Sequence, residues 1–182
     1  DIKEKERNEK RTYKDLIGVK GKPLSEYLPI NIINKKVHLD PEFESYTYGE
    51  VGRIKRSALL RLERKDLLIF YMGGYYNKTH SDIQCFIFGF FEVDRVFDWS
   101  KDDKEMRNLC SNNAHIISSK SKNNLVIVKG TAKSRLLSKC IQISETNKLK
   151  NNPPYVTMPH FQMEYGLRKN IVRAVPMWIK DT

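Results

Sequence analysis

Long apolar runs are missing from this 182-residue chain. The longest, residues 67–72 and 85–91, fall far short of the ~20 apolar residues a helix needs to cross a bilayer. Cysteine is scarce: Cys85, Cys110 and Cys140 are an odd, widely spaced three, with no CxxC pair or Cys/His cluster. That spacing argues against a zinc knuckle or a disulfide framework. Cys85 and Cys140 have apolar neighbours and are expected as buried small hydrophobes in a reducing, cytoplasmic setting. The sequence also lacks a GxxxxGK[ST] phosphate loop, a dinucleotide glycine motif, a nucleophile elbow and a recognised metal signature. No metal ligand set is therefore assigned, and the cofactor is left open. Internal repeats and long Gly/Ser or Pro-rich linkers are absent too, so the chain reads as one domain with a tail. It opens on Asp1 rather than methionine, and a leader or N-terminal part is expected to precede it.

What the chain has is positive charge. The formal net charge is +11 and the pI about 9.5, which favours an acidic partner. The distribution is uneven. Residues 1–12 mix five basic with four acidic side chains, a nearly neutral lead-in. Residues 120–150 carry eight basic side chains (Lys120, Lys122, Lys129, Lys133, Arg135, Lys139, Lys148, Lys150) against Glu145 alone. A solvated lysine-rich surface would look similar, but clustering of this kind suits a phosphate-facing surface.

The pattern predicts an α+β fold with a mixed, strongly curved or barrel-like sheet and a few short flanking helices. Residues 23–28 read as a short helix opened by Pro23, 31–39 as a weak strand and 40–56 as irregular. Residues 67–72 read as a buried strand broken by Gly73 and Gly74 into a loop. Residues 83–97 read as one long strand with a bulge at Gly89. Ser100 and Asp103 suggest a capping box for a helix to Leu109. A strand over 125–128 is followed by a helix over 131–137 capped by Thr131, and by a strand over 140–143. The domain body is placed at 13–152, after the 1–12 lead-in, with 153–182 as a Pro-containing wrap.

Four constellations carry possible chemistry. The segment from His38 to Glu44 holds a histidine and three carboxylates, Asp40, Glu42 and Glu44. Such a set can supply a general base or ligate a cation; equally, Asp40 can cap a turn beside a hydrogen-bonded His38. Asn113 and His115 form a second group, able to read a base edge, stack or move a proton, or simply to end a helix. The run from Lys129 through Lys133, Ser134 and Arg135, with Lys139 beyond, suits phosphate contact. The basic end of 40–56, with Arg53, Lys55 and Arg56, is assigned to the same nucleic-acid surface. Among the aromatics, Phe86, Phe88, Phe90 and Phe91 read as core. Tyr48, Tyr75 and Tyr76 are candidates for stacking on an unpaired base.

The run Arg64-Lys65-Asp66-Leu67-Leu68-Ile69-Phe70-Tyr71, followed by Ile87-Phe88-Gly89-Phe90-Phe91-Glu92-Val93, resembles PUA-like folds such as EVE, YTH and ASCH domains. An ordered set is more specific. It comprises Tyr13-Lys14-Asp15-Leu16, His38-Leu39-Asp40-Pro41, Tyr48-Gly49, Asp66 with its strand, Phe88-Gly89, Asn113-Ala114-His115 and Ser134-Arg135-Leu136-Leu137. This set, over most of residues 13–145, resembles the third type of nucleotide modification associated domain. That family is associated with DNA base modification systems. An opening strand with a serine- and proline-containing stretch, which the resemblance leads one to expect, is absent here.

The reading that follows is a domain that binds nucleic acid, DNA rather than RNA, and recognises or handles a modified base. The alternative is an enzyme of base or nucleotide modification or hydrolysis using His38, Asp40 and His115. No membrane is implied, and no protein partner is named.

Overall fold

The computed structural model describes residues 8, 10–18, 21–75, 83–101, 103–118, 124–146, 155–172 and 175–179. Within them the chain divides into two compact units, Asp1–Lys65 with Val93–Ala132 and Asp66–Glu92 with Lys133–Thr182.

Strand β3 (Gln84–Asp98) belongs to both units. Gly89, Phe91 and Val93 are buried at a spacing of two, and Phe97 four further on, the signature of a strand with one covered face. Its first part lies in the second unit. There it pairs antiparallel with β2 (Leu67–Gly74) and with β5 (Arg135–Gln142). Its later part lies in the first unit and pairs with β4 (Val126–Gly130), which in turn pairs with β1 (Thr47–Glu50). Register slips between Phe70 and Tyr71, between Ile87 and Gly89, and between Val93 and Arg95. Each slip adds twist and bend, which gives a curled antiparallel sheet. Short helices among the described residues accompany it: α1 (Ile30–Ile33), α2 (Arg53–Leu59), α3 (Asp103–Leu109), α4 (Ala114–Ile117) and α5 (Pro159–Tyr165). The α+β class with a curved sheet is thus what the chain forms.

The first unit centres on Phe97, Met106, Cys110, Leu125 and Ile127, flanked by Trp99 and Ile116. Met106 and Cys110, four residues apart, lie on one helical face, which is why α3 packs here. The second unit gathers Cys85, Ile143 and Ile171, with Tyr71, Ile87, Tyr155, Phe161 and Met177 against them. A small sheet of β6 (Ser144–Thr146), β7 (Tyr155–Thr157) and β8 (Asn170–Ile171) completes it.

Several local expectations are corrected. Residues 131–134 are a turn and 135–137 already belong to β5, so this stretch is not a helix. Strand β5 is ordered by its partner β3, and that non-local pairing outweighs the helix start suggested by Thr131. The weak strand over 31–39 is instead α1 followed by extended chain, and the supposedly irregular 40–56 contains β1 and α2. Gly73 and Gly74 continue β2 instead of breaking it, and Leu67 and Met72 are exposed. Cys140 is exposed, unlike buried Cys85, because it lies on β5, whose residues are mostly solvent-facing. The Ser100 hydroxyl donates to Asp98 at 2.9 Å, and the residue before α3 lies outside the described residues. The C-terminal segment holds β7 and β8 as well as a helix.

Candidate functional site

The site grows from three pieces of the first unit. The extended segment 37–40 carries His38 and Asp40. Strand β1 carries Thr47 and Gly49, and the start of α4 carries Asn113 as its cap and His115 in its first turn. Asn113 is the N-cap of α4: its side-chain oxygen accepts the His115 amide at 2.9 Å. Its Nδ2 donates both to Asp40 Oδ1 at 2.9 Å and to Thr47 Oγ1 at 3.2 Å. Fully buried, Asn113 therefore uses three of its four hydrogen-bonding positions to fix neighbours.

Asp40 Oδ1 also accepts the Gly49 amide at 2.9 Å, while Oδ2 lies 3.2 Å from His115 Nε2. The carboxyl group is almost wholly enclosed, at 5% side-chain exposure, and His115 reaches the surface at 22%. His38, exposed, sets its ring edge-on to His115, with centroids 4.9 Å apart and planes at 88°. Among the described residues, His38, Asp40 and His115 bring one potential ligand atom each within 4.8 Å of one another.

A buried network holds this arrangement in place. Glu42, fully buried, accepts from Thr47 Oγ1 at 3.1 Å, from the Ser45 amide at 2.6 Å, and from the Ser45 hydroxyl and Glu44 amide. Asn8 joins the two site-bearing segments. Its Oδ1 accepts the Leu39 amide at 2.6 Å, and its Nδ2 donates to the Asn112 carbonyl at 3.2 Å. Gly49 is required by close approach: a Cβ there would meet His115 Cδ2 at 2.7 Å and Asn113 Oδ1 at 3.0 Å. Sequence reasoning missed Asn8, Glu42, Thr47 and Gly49 as positioning residues. Gly49 sat beside Tyr48 in the ordered set of the family resemblance, but Asn8 in its charged stretch gives no local signal at all.

Tyr48 has its phenol pushed up by burial and by nearby Glu50 and Asp40, so it stays protonated. Its hydroxyl donates to Glu50 at 3.3 Å. Burial alone would raise the Glu50 carboxyl, but Lys55 at 2.8 Å and the Gly52 and Val51 amides outweigh it and hold it low. Asp98 follows the same pattern: burial is outweighed by the Ser100 hydroxyl and amide and by Arg56 at 2.8 Å.

The basic candidates are distributed differently. In the first unit, Lys55 and Arg56 are engaged by these carboxylates, Lys129 Nζ donates to the Ser45 carbonyl, and Arg53 is exposed. Arg53 and Arg56 line a shallow depression with Val51, Ser57 and Asn124. In the second unit, Lys133 lies 3.2 Å from Glu92, Arg135 sits over the Phe90 ring at 5.4 Å, and Lys139 is exposed. Ser134 is buried there and accepts the Glu92 amide, and Tyr75 is exposed. Tyr76 lies outside the described residues, as do Lys120, Lys122, Lys148 and Lys150. The structure thus brings together His38, Asp40, Asn113 and His115, and places Tyr75, Lys133, Ser134, Arg135 and Lys139 in the other unit.

A buried carboxylate flanked by two imidazoles, in an α+β domain with a curled antiparallel sheet, defines a chain equipped for polar chemistry at a partly open site. The chain belongs to the family described as nucleotide modification associated domain 3, which matches residues 2–177. No curated protein and no solved structure matches it. Its place is therefore in a nucleotide modification system. None of the described helices is long and apolar enough to cross a membrane.

Proposed function

We propose that the protein is an enzyme acting on a nucleotide or nucleobase of DNA, with His38, Asp40 and His115 as its reaction centre. One observation carries this reading: Asp40 is enclosed, held through one oxygen by the Gly49 amide and Asn113, and turns its other oxygen to His115 at 3.2 Å. A carboxylate fixed so completely beside a surface-reaching imidazole is suited to orient that ring for proton transfer or to share a ligand with it. Turn capping alone would not call for Asn113, Asn8 and Glu42 to be buried around it.

Recognition of a base is part of the same reading, since an enzyme that alters a base must first hold it. The cations favour a catalytic centre over a long phosphate-tracking groove. Lys55, Arg56 and Lys133 lie against carboxylates and Lys129 against a carbonyl, so each would give up a partner to reach a phosphate.

The test is nucleoside mass spectrometry after incubation with deoxynucleotides and with single- and double-stranded DNA, unmodified and base-modified. A changed nucleoside mass or released base is expected with the wild type and absent with His115→Gln. An unchanged mass in every arm, or the same product from His115→Gln, would remove this cluster as a reaction centre.

A further inference from the structure

We propose that His38, Asp40 and His115 together bind a single divalent transition-metal ion. This deepens the reading of the cluster as a reaction centre and rests on it for its catalytic meaning, though not for its geometry.

Spacing is the first argument. A four-coordinate ion with bonds of about 2.0–2.1 Å to nitrogen and oxygen sets its ligand atoms about 3.3 Å apart. Asp40 Oδ2 and His115 Nε2 already stand 3.2 Å apart. The ligand atoms of all three residues fall within 4.8 Å of one another, and His38 is exposed.

The second argument is the division of labour on the carboxylate. Oδ1 takes the Gly49 amide and the Asn113 Nδ2 hydrogen bonds, which leaves Oδ2 for an ion. Metal-binding carboxylates are commonly held this way by outer groups that fix orientation and basicity. Asn113 does more, because its carbonyl oxygen also caps the turn that carries His115. One amide thereby sets two of the three ligands.

Ligand type decides the class of ion. Two imidazoles with one carboxylate suit zinc, iron(II), cobalt or manganese, whereas magnesium and calcium prefer oxygen throughout. Three protein ligands, fewer than a closed structural site uses, leave a position for water or substrate. An ion so placed would lower the pKa of a bound water or polarise a phosphoryl or carbonyl oxygen. Thiolate is not part of the set. Cys110 lies in the core, where burial pushes its thiol up to about 12.

The test uses the full chain without a histidine tag, stripped with chelator and titrated calorimetrically with Zn²⁺, with Co²⁺ followed by its visible absorption. One ion per chain is expected, with Mg²⁺ unable to compete. Because Asp40 is bound into the fold, exposed His38 supplies the main variant. His38→Ala should weaken binding beyond the roughly 10–100-fold typical of losing an outer group, and Asn113→Ser by about that 10–100-fold. His160→Ala, in the other unit, should bind as the wild type does. No Zn²⁺ binding, wild-type binding by His38→Ala and His115→Ala, or loss in His160→Ala would overturn the proposal. Binding is read without substrate, so the two readings fail separately. Bound metal without turnover supports the ion and sinks only the catalytic role. Turnover by a protein that binds no Zn²⁺ sinks the ion and leaves the catalytic role standing.

Discussion

The two units bury polar side chains for different ends. In the second unit Ser134, Ser144 and Thr157 are buried, and each spends its hydroxyl on main chain. Ser134 accepts the Glu92 amide, Ser144 the Cys85 amide, and Thr157 donates to the Arg168 carbonyl. Small hydroxyls of this kind patch the sheet ladder where a strand ends or a turn interrupts it. In the first unit Thr47 is buried together with larger groups that are costlier to desolvate, Asn8, Glu42 and Asn113. Glu42, Thr47 and Asn113 connect in a chain that ends on Asp40, and Asn8 ties the main chain at Leu39 to that at Asn112. A fold needing only stability could fill those positions with apolar groups. The difference therefore separates a unit whose polar interior holds a site from one whose polar interior repairs a sheet.

The largest expected effect comes from breaking the first network at its base. Glu42→Gln keeps the volume but sets an NH₂ group among donors that now converge on a carboxylate. Stability should fall by about 3 kcal/mol or more, since each buried donor left unpaired costs about 1–3 kcal/mol. Denaturant unfolding measures the loss, and the ring NMR signals of His38 and His115 should shift with it. Unmoved histidine signals would show that the network does not position the site.

Ser144→Ala should have a smaller effect. It leaves the buried Cys85 amide without its 2.8 Å partner and should cost about 1–3 kcal/mol, while the His38 and His115 signals stay in place. A shift of those signals in this variant would dissolve the distinction between the units.

At alkaline pH the two units should behave alike. Burial raises Cys110 and Tyr48 in the first unit and Cys85 and Tyr71 in the second. A folded-state pKa above the unfolded one means the stabilisation is fully present below the unfolded value and fades as pH rises above it. For Cys110 that decline starts near the ordinary thiol value of ~8.5 and continues to about 12. The melting temperature should therefore drop above roughly pH 9, and the drop should be shallower in Cys110→Ala. Equal slopes would mean the thiol stays protonated in the unfolded chain too, or is solvated in the folded one.

The long strand over 83–97 with its bulge near Gly89, the helix ending at Leu109 and the strand after Leu125 could all be read from period and punctuation. Those signals are local: alternation for β3, helical spacing for Met106 and Cys110, an apolar run for Val126–Val128. Strand β5 was misread because a Thr-capped basic segment suits a helix start until β3 supplies an edge to pair with. Strands β6, β7 and β8 run only two or three residues each, too short for any period to register.

The same divide runs through the site. Residue chemistry alone marked His38, Asp40, Asn113 and His115, because imidazoles, a carboxylate and an amide are what polar catalysis draws on. That they meet depends on contacts across 73 positions between Asp40 and Asn113 and across 104 between Asn8 and Asn112. No local pattern encodes such distances. Basicity was equally legible, but which cations would be taken up by Glu50, Glu92 or Asp98 was settled only by strand register and helix packing. Composition and periodicity fixed the kind of chain this is. Where its reactive groups converge was decided by long-range pairing, because only the folded backbone brings remote donors and acceptors within hydrogen-bonding distance.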